Sequence, residues 1–144
     1  MHARRTIREA VTAVLKAAAI TGIRVYENRL YPVAESDLPC LLVISGGDRS
    51  DNLDMSNDPL QQRAVRVEIR AIVKTSKDLD DALEAICSKV EQAMASAVFG
   101  FKAGRRYVGT EHRENALGNQ PVGESRIFYE FEIMTRQSDP ETMK

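Results

Sequence analysis

SGGDRSDNLDMSNDP, Ser45–Pro59, is the stretch on which the fold of this chain turns. It stands between CLLVIS (Cys40–Ser45) and QRAVRVEIRAIV (Gln62–Val73), two segments with the composition of neighbouring strands. Such strands are usually joined by about two to five residues. Ser45–Pro59 is rich in Gly, Ser, Asn and Asp, which favour turns and compete with the backbone for hydrogen bonds, so it reads as a long polar loop. Loops of that length in a small domain commonly carry function.

On the N-terminal side, the continuous apolar run CLLVIS, entered by the Leu38-Pro39 step, has the character of a central strand covered on both faces. IRVYENRLY (Ile23–Tyr31) before it predicts a first strand. Further upstream, Thr6-Ile7-Arg8-Glu9 has the spacing of a capping box. Ile7, Ala10, Val11, Val14, Leu15 and Ala18 then recur at helical steps, so a helix is expected from about Thr6 to before Thr21-Gly22, with Arg4 and Arg5 outside its cap.

On the C-terminal side, Val65, Val67, Ile69, Ala71 and Val73 alternate with Arg66, Glu68, Arg70 and Ile72, which gives a strand with one core face and one mostly charged face. DLDDALEAICSKVEQAMASAV (Asp78–Val98) carries a second helical stripe, with Asp78, Asp80 and Asp81 where acidic side chains complement the helix dipole. Gly100 and Gly104 bracket a turn, RRYVGTEHRENA suggests a fourth strand, and GNQPVG reads as a turn. SRIFYEFEIM is the last strand, with Ile127, Tyr129, Phe131 and Ile133 on one face, and the tail from Arg136 to Lys144 is expected to be loose. The expected architecture is α+β: one domain over residues 1–144, with a single mixed, largely antiparallel sheet of about five strands and two helices packed on one face. The strand, helix, strand unit from Arg63 to Ala116 fits a parallel crossover.

Composition narrows the function. With 144 residues, 43% of them hydrophobic, the chain can bury a core without a disulfide or metal. Twenty basic and 21 acidic residues nearly cancel, so there is no overall pull toward nucleic acid or anionic lipid. Cys40 and Cys87 read as buried thiols of a reducing compartment, and no stretch has the length of a signal peptide core or a membrane span.

Motifs for catalysis are sparse. His2 and His112 lie in no metal-ligand spacing and beside no nucleophile motif, and the two cysteines lack C-x-x-C partners. SGGD follows a strand but lacks the Lys and Ser/Thr of a phosphate-binding loop. Asp48, Asp51, Asp54 and Asp58 invite a calcium reading, yet the turn glycine is missing and Arg63 stands where a bidentate Glu belongs, which leaves only weak divalent-cation binding open. The basic clusters Arg4, Arg5, Arg8 and Arg105, Arg106 lack interleaved aromatics and read as solvated surface rather than a nucleic-acid site.

The order of elements resembles a known family. RTIREAVTAVLKAAAITGIRVYENRLYPVAESDLPCLLVISGG, the polar stretch, QQRAVRVEIRAIV and the acidic-start helix DLDDALEAICSKVEQAM are together similar to the tail terminator proteins of long-tailed bacteriophages, the lambda-type minor tail protein U family. The markers are the N-terminal helix, the Gly22 turn into Val25-Tyr26, the ESDLP step and the alternating strand after an acidic loop, and the resemblance runs from about Thr6 to Met134. It implies a structural, non-enzymatic protein without cofactor. Such a protein forms a homo-oligomeric ring, typically a hexamer, that caps the tail tube, ends its polymerisation and offers a head-joining surface. The implied partners are the chain itself, the tail tube protein and a head-tail connector, with no membrane and no sequence-specific nucleic acid. The implied place is the virion tail, the chain being made in the host bacterial cytoplasm. A somewhat longer loop and a polar tail after Arg136 depart from that pattern.

Under this reading the stretch Gly46–Gln61 is expected to be mobile in the free subunit and to order on a neighbour or the tube. Asp48, Arg49, Asp51, Asp54 and Asp58 would supply its charge, and Leu53 and Met55 its apolar anchors. Arg66, Glu68 and Arg70 would provide mixed-sign pairing across the interface. The competing expectations are another phage neck or tail-completion protein, or a small-ligand or enzymatic α+β domain.

Overall fold

The computed structural model describes residues 1–18, 20, 23–27, 38–74, 78–117 and 120–144, excepting the side chains of 115–121. The elements run α1 (Ala3–Ala17), β1 (Arg24–Glu27), β2 (Cys40–Asn52), β3 (Leu60–Lys74), α2 (Leu79–Ser96), β4 (Gly104–Leu117) and β5 (Gln120–Arg136). The fold is α+β, with one mixed five-stranded sheet in the order β1-β2-β3-β5-β4. Among the described strands only the β1–β2 pair is parallel. The crossover through α2 joins strands that run in the same direction, since β3 and β4 are each antiparallel to β5, which lies between them. No helix among the described residues is long and apolar enough to cross a membrane.

Both helices lie on one face of the sheet. Odd-numbered positions of β3 and β5 point toward them: Val65, Val67, Ile69, Ile127 and Phe131 are wholly buried, packed with Ile7 and Val11 of α1 and Val90 and Met94 of α2. Each such side chain contributes about 1.5–3 kcal/mol by leaving water. Cys40, Leu41, Leu42 and Val43 are all buried, so β2 is covered on both faces as its composition implies, although the middle strand is β3. Both thiols are buried, and the two are not joined in a disulfide.

Ser45–Pro59 departs most from its sequence reading. Ser45–Asn52 continues β2, paired with β3 as far as Asn52↔Gln61, and only 53–59 makes the turn. What reads as a mobile loop is a long hairpin arm. Asp54 holds its tip by accepting hydrogen bonds from the backbone and hydroxyl of Ser56 and the amide of Leu60, while the Leu53 amide donates to the Leu60 carbonyl. Turn-forming residues sit in a strand here because β5 flanks the far side of β3 down to Leu60↔Arg136, and a third strand stabilises a hairpin that two leave marginal.

The helix start also differs. Residue His2 caps α1, its Nδ1 accepting from the Arg4 amide, which places Thr6 inside the helix and Arg4 and Arg5 in its first turn. Burial lowers the His2 pKa from 6.5, and Arg4 and Arg63 nearby act in the same direction, so the neutral, accepting ring is favoured. The earlier start lets Ala3 join Ile7 in the core.

The tail after Arg136 is tied down rather than loose. Asp58 accepts from the backbone and hydroxyl of Ser138, the Gln137 amide donates to Pro59, the Lys144 amide donates to Met134, and the Ala3 amide donates to Pro140. The N-terminal ammonium pairs with Glu141, and Met143 packs against the core. Strand β5 begins by Gln120, so Gln120–Gly123 is strand rather than turn, while Gly118 and Asn119 lie outside the described residues. The predicted first strand holds as Arg24–Glu27, its continuation to Tyr31 also lying outside them.

Candidate interaction surface on the open face of the sheet

A β-bulge organises this surface. Between the pairs Ser45↔Val67 and Asp48↔Val65, Gly46 and Gly47 together stand opposite the single Arg66. The extra residue shifts the alternation of β2, so Asp48 turns to the helix side and Arg49 to the open side. Glycine is required at the bulge for two reasons. Gly47 has φ +83°, a left-handed conformation costly for other residues, and a Cβ on Gly46 would press on Arg66 Cγ at 3.1 Å.

On the helix side Asp48 joins two arginines. Arg4 Nη1 of α1 donates to one carboxylate oxygen at 3.0 Å and Arg63 Nη1 to the other at 3.0 Å, while Arg63 Nε donates to the buried Thr135 hydroxyl at 2.8 Å. This clamp fastens the first turn of α1 to the arm. Asp48 is therefore committed within the subunit and is not free for an interface.

Glu68 and Arg70, expected to reach a neighbour, are likewise paired at home. The Glu68 carboxylate lies 3.1 Å from Arg70 Nη2 and 3.7 Å from Arg126 Nε, and that of Glu124 lies 2.8 Å from Arg70 Nε and 3.1 Å from Arg126 Nε. The 2.8 Å approach of Arg70 is charge proximity more than an aligned hydrogen bond. The strand register places Arg70 directly opposite Arg126, a repulsive arrangement that the two glutamates on the diagonals offset. All four side chains are mostly covered, and the quartet is neutral.

Toward the arm the same face carries a different cluster. Glu130 on β5 is buried, with 5% of its surface exposed, and three guanidinium groups from three other strands approach its carboxylate: Arg106 at 3.5 Å, Arg66 at 4.0 Å and Arg49 at 4.0 Å. Within the concavity three arginines surround the one buried carboxylate of Glu130, while the carboxylates of Asp51 and Glu132 line the adjoining depression beside Arg49. The guanidinium side chains are 49% exposed at Arg66, 68% at Arg106 and 83% at Arg49, so most of their donors remain available. They rim a concavity of about 350 Å³ whose wall includes Gly46 and Gly47. Arg66 is steadied by the Phe128 ring 5.7 Å away.

The remaining predicted residues sit on the arm. Met55 at its tip is fully exposed and Leu53 is 48% exposed, the setting of apolar anchors. Asp51 lies on the exposed end of β2. The Asp54 and Asp58 carboxylates are held below their ordinary 3.8 by the hydroxyl and backbone donors of Ser56 and Ser138. They are occupied by protein donors, and among the described residues no three His, Cys, Asp or Glu converge as metal ligands would.

Sequence reasoning missed Glu130 and left Arg106 as solvated surface. Alternation alone puts both on the charged face, but knowing that they meet Arg66 requires the order β3-β5-β4, which no short-range signal supplies.

His112 Nδ1 lies 2.7 Å from Ser125 Oγ, and the Cys87 thiol is close to the same hydroxyl. Ser125 is wholly buried and burial raises the Cys87 thiol pKa, so this trio is a packing contact rather than an activated nucleophile. No protein-family model and no curated protein matches the chain.

Proposed function

We propose that this chain is a structural subunit of a phage tail, forming a homo-oligomeric ring that caps the tube, stops its polymerisation and presents a surface for head joining. The supporting observation is that helices cover one face of the sheet while the other carries the arginine-rimmed concavity, which gives each subunit two dissimilar sides. A ring closed by rotation needs unlike surfaces that meet head to tail. The ordered arm, with Met55 and Leu53 at its tip, supplies an apolar contact suited to a tube end. In this reading the partners are further copies, the tube protein and a head-tail connector, and the place of action is the virion tail. The work is done by subunit fit, without cofactor or bond-making chemistry.

Electron microscopy of tails assembled without the protein tests this. Tubes of uncontrolled length are the expected result. Tails of normal length that fail to acquire heads would overturn termination in favour of a neck role.

A further inference from the structure

From the arrangement of charge we infer that the Arg49–Arg66–Arg106 concavity receives the carboxylates at the start of α2, Asp80, Asp81 and Glu84, of a second copy of this chain. This deepens the ring reading and rests on it. The positive excess is local to the concavity, since Asp51 and Glu132 lie beside Arg49 in the adjoining depression, and a second copy would have to bring an acidic surface of its own. That surface is at the other end of β5. Leu79 and Leu83 of α2 sit over Gly123, where an added Cβ would fall 2.7–2.8 Å from them. Glu114 of β4 pairs with Gly123 and its carboxyl lies beside that of Asp80. Asp80, Asp81, Glu84 and Glu114 are all exposed, and none of the ion pairs among the described residues involves them.

The two patches are complementary in sign and lie on opposite faces of the sheet. From Gly123 to Glu130 they are separated along β5 by roughly 23 Å, at about 3.3 Å per residue. One copy's open face can therefore meet the next copy's helix side, which is the head-to-tail relation a ring requires and a twofold dimer does not. A small, densely charged anion such as phosphate suits the concavity less well. The point on which its guanidinium groups converge is already held by the Glu130 carboxylate, which would repel a second anion placed there.

Sedimentation velocity of the full chain over a concentration series tests the inference, with circular dichroism confirming that each variant is folded. The wild type is expected to associate. Arg66→Glu with Arg106→Glu, and separately Asp80→Lys with Asp81→Lys, should each raise the concentration of half-association about tenfold or more. All four changes in one chain should restore it, because the signs are exchanged. Should the glutamate pair prevent folding, Arg66→Ala with Arg106→Ala gives the same readout without introducing buried negative charge. Association unchanged in the single-patch variants would overturn the inference and leave the ring reading standing. Loss of association in both variants without recovery in the combined chain would mean that the patches do not meet, which also overturns it. A wild-type chain that stays monomeric at every concentration would overturn both.

Discussion

Two groups of charged residues share the open face of the sheet, and they behave oppositely. The Glu68–Arg70–Glu124–Arg126 quartet is covered, balanced and closed on itself. The Glu130 cluster, a few residues further along the same two strands, is unbalanced and presents most of its guanidinium surface to solvent. The residue types are the same and the alternation of β3 runs through both. Register makes the difference: diagonal Glu–Arg neighbours close the quartet, whereas the bulge at Gly46-Gly47 brings Arg49 onto the face beside Arg66, and β4 adds Arg106. A charged strand face is thus not by itself a binding surface. Only the part whose charge is not cancelled at home has interaction energy left for a partner.

The sharpest break of this contrast is Arg70→Ala. It leaves the mostly covered Glu68 and Glu124 to share Arg126 alone, and removing one member of a covered ion pair strands its partner. A loss of about 2–3 kcal/mol in urea unfolding is expected, with self-association of the folded fraction unchanged. A neutral stability effect would mean that the quartet is as solvated as the cluster beside it.

Glu130→Gln comes next and should separate stability from binding. The three arginines lose their shared counter-charge but can rehydrate, so a cost of about 1 kcal/mol is expected from the buried acceptor. Association should tighten at the same time, because Arg49, Arg66 and Arg106 lose the counter-charge they share within the subunit. Calorimetric unfolding and sedimentation of the same preparation check both halves. If association weakened instead, Glu130 would belong to the contact itself.

Arg66→Ala or Arg106→Ala alone should change unfolding free energy by no more than about 0.5 kcal/mol, as expected for exposed side chains with long ion-pair distances. Their effect should appear in association. It should fade in the wild type as salt shortens the Debye length from about 10 Å at 0.1 M to about 3 Å at 1 M.

How far these regions were legible in the sequence follows the same physical line. The helix stripes, the alternation of β3 and β5 and the doubly covered β2 are periodic signals of local burial, and the structure bears them out. The strand identity of Ser45–Asn52 was hidden because its residues favour turns and are held extended only by pairing with β3, itself braced by β5. Asp48 looked like a free loop carboxylate until the bulge turned it toward Arg4 and Arg63. The docked tail was hidden for a similar reason: its anchors, Asp58 and the Met134 and Pro140 carbonyls, include groups far away in sequence. Pairing partners decide such regions, and composition does not encode them.

The smallest expected effect concerns the acidic side of the inferred contact, where pH pulls the lone subunit and the assembly in opposite directions. The Asp80 carboxylate beside Glu114 accepts a hydrogen bond from its protonated form and repels its ionised form, which together raise the Glu114 pKa above the ordinary 4.5. A carboxyl whose folded pKa is raised binds protons more readily in the folded state. Its crowding therefore opposes folding at neutral pH, and the penalty is relieved as pH falls through the raised pKa. In the isolated subunit, acidification through that range should cause a slight gain from this site. For association the sign reverses, because protonation removes negative charge from the patch that faces the arginines. Titrating Glu114 by NMR in a non-associating Arg66→Ala/Arg106→Ala chain, beside sedimentation of the wild type over the same pH range, separates the two. Association that stayed constant while Glu114 took up its proton would show that this end of the acidic patch lies outside the contact, and would confine the arginines' partner to Asp81 and Glu84.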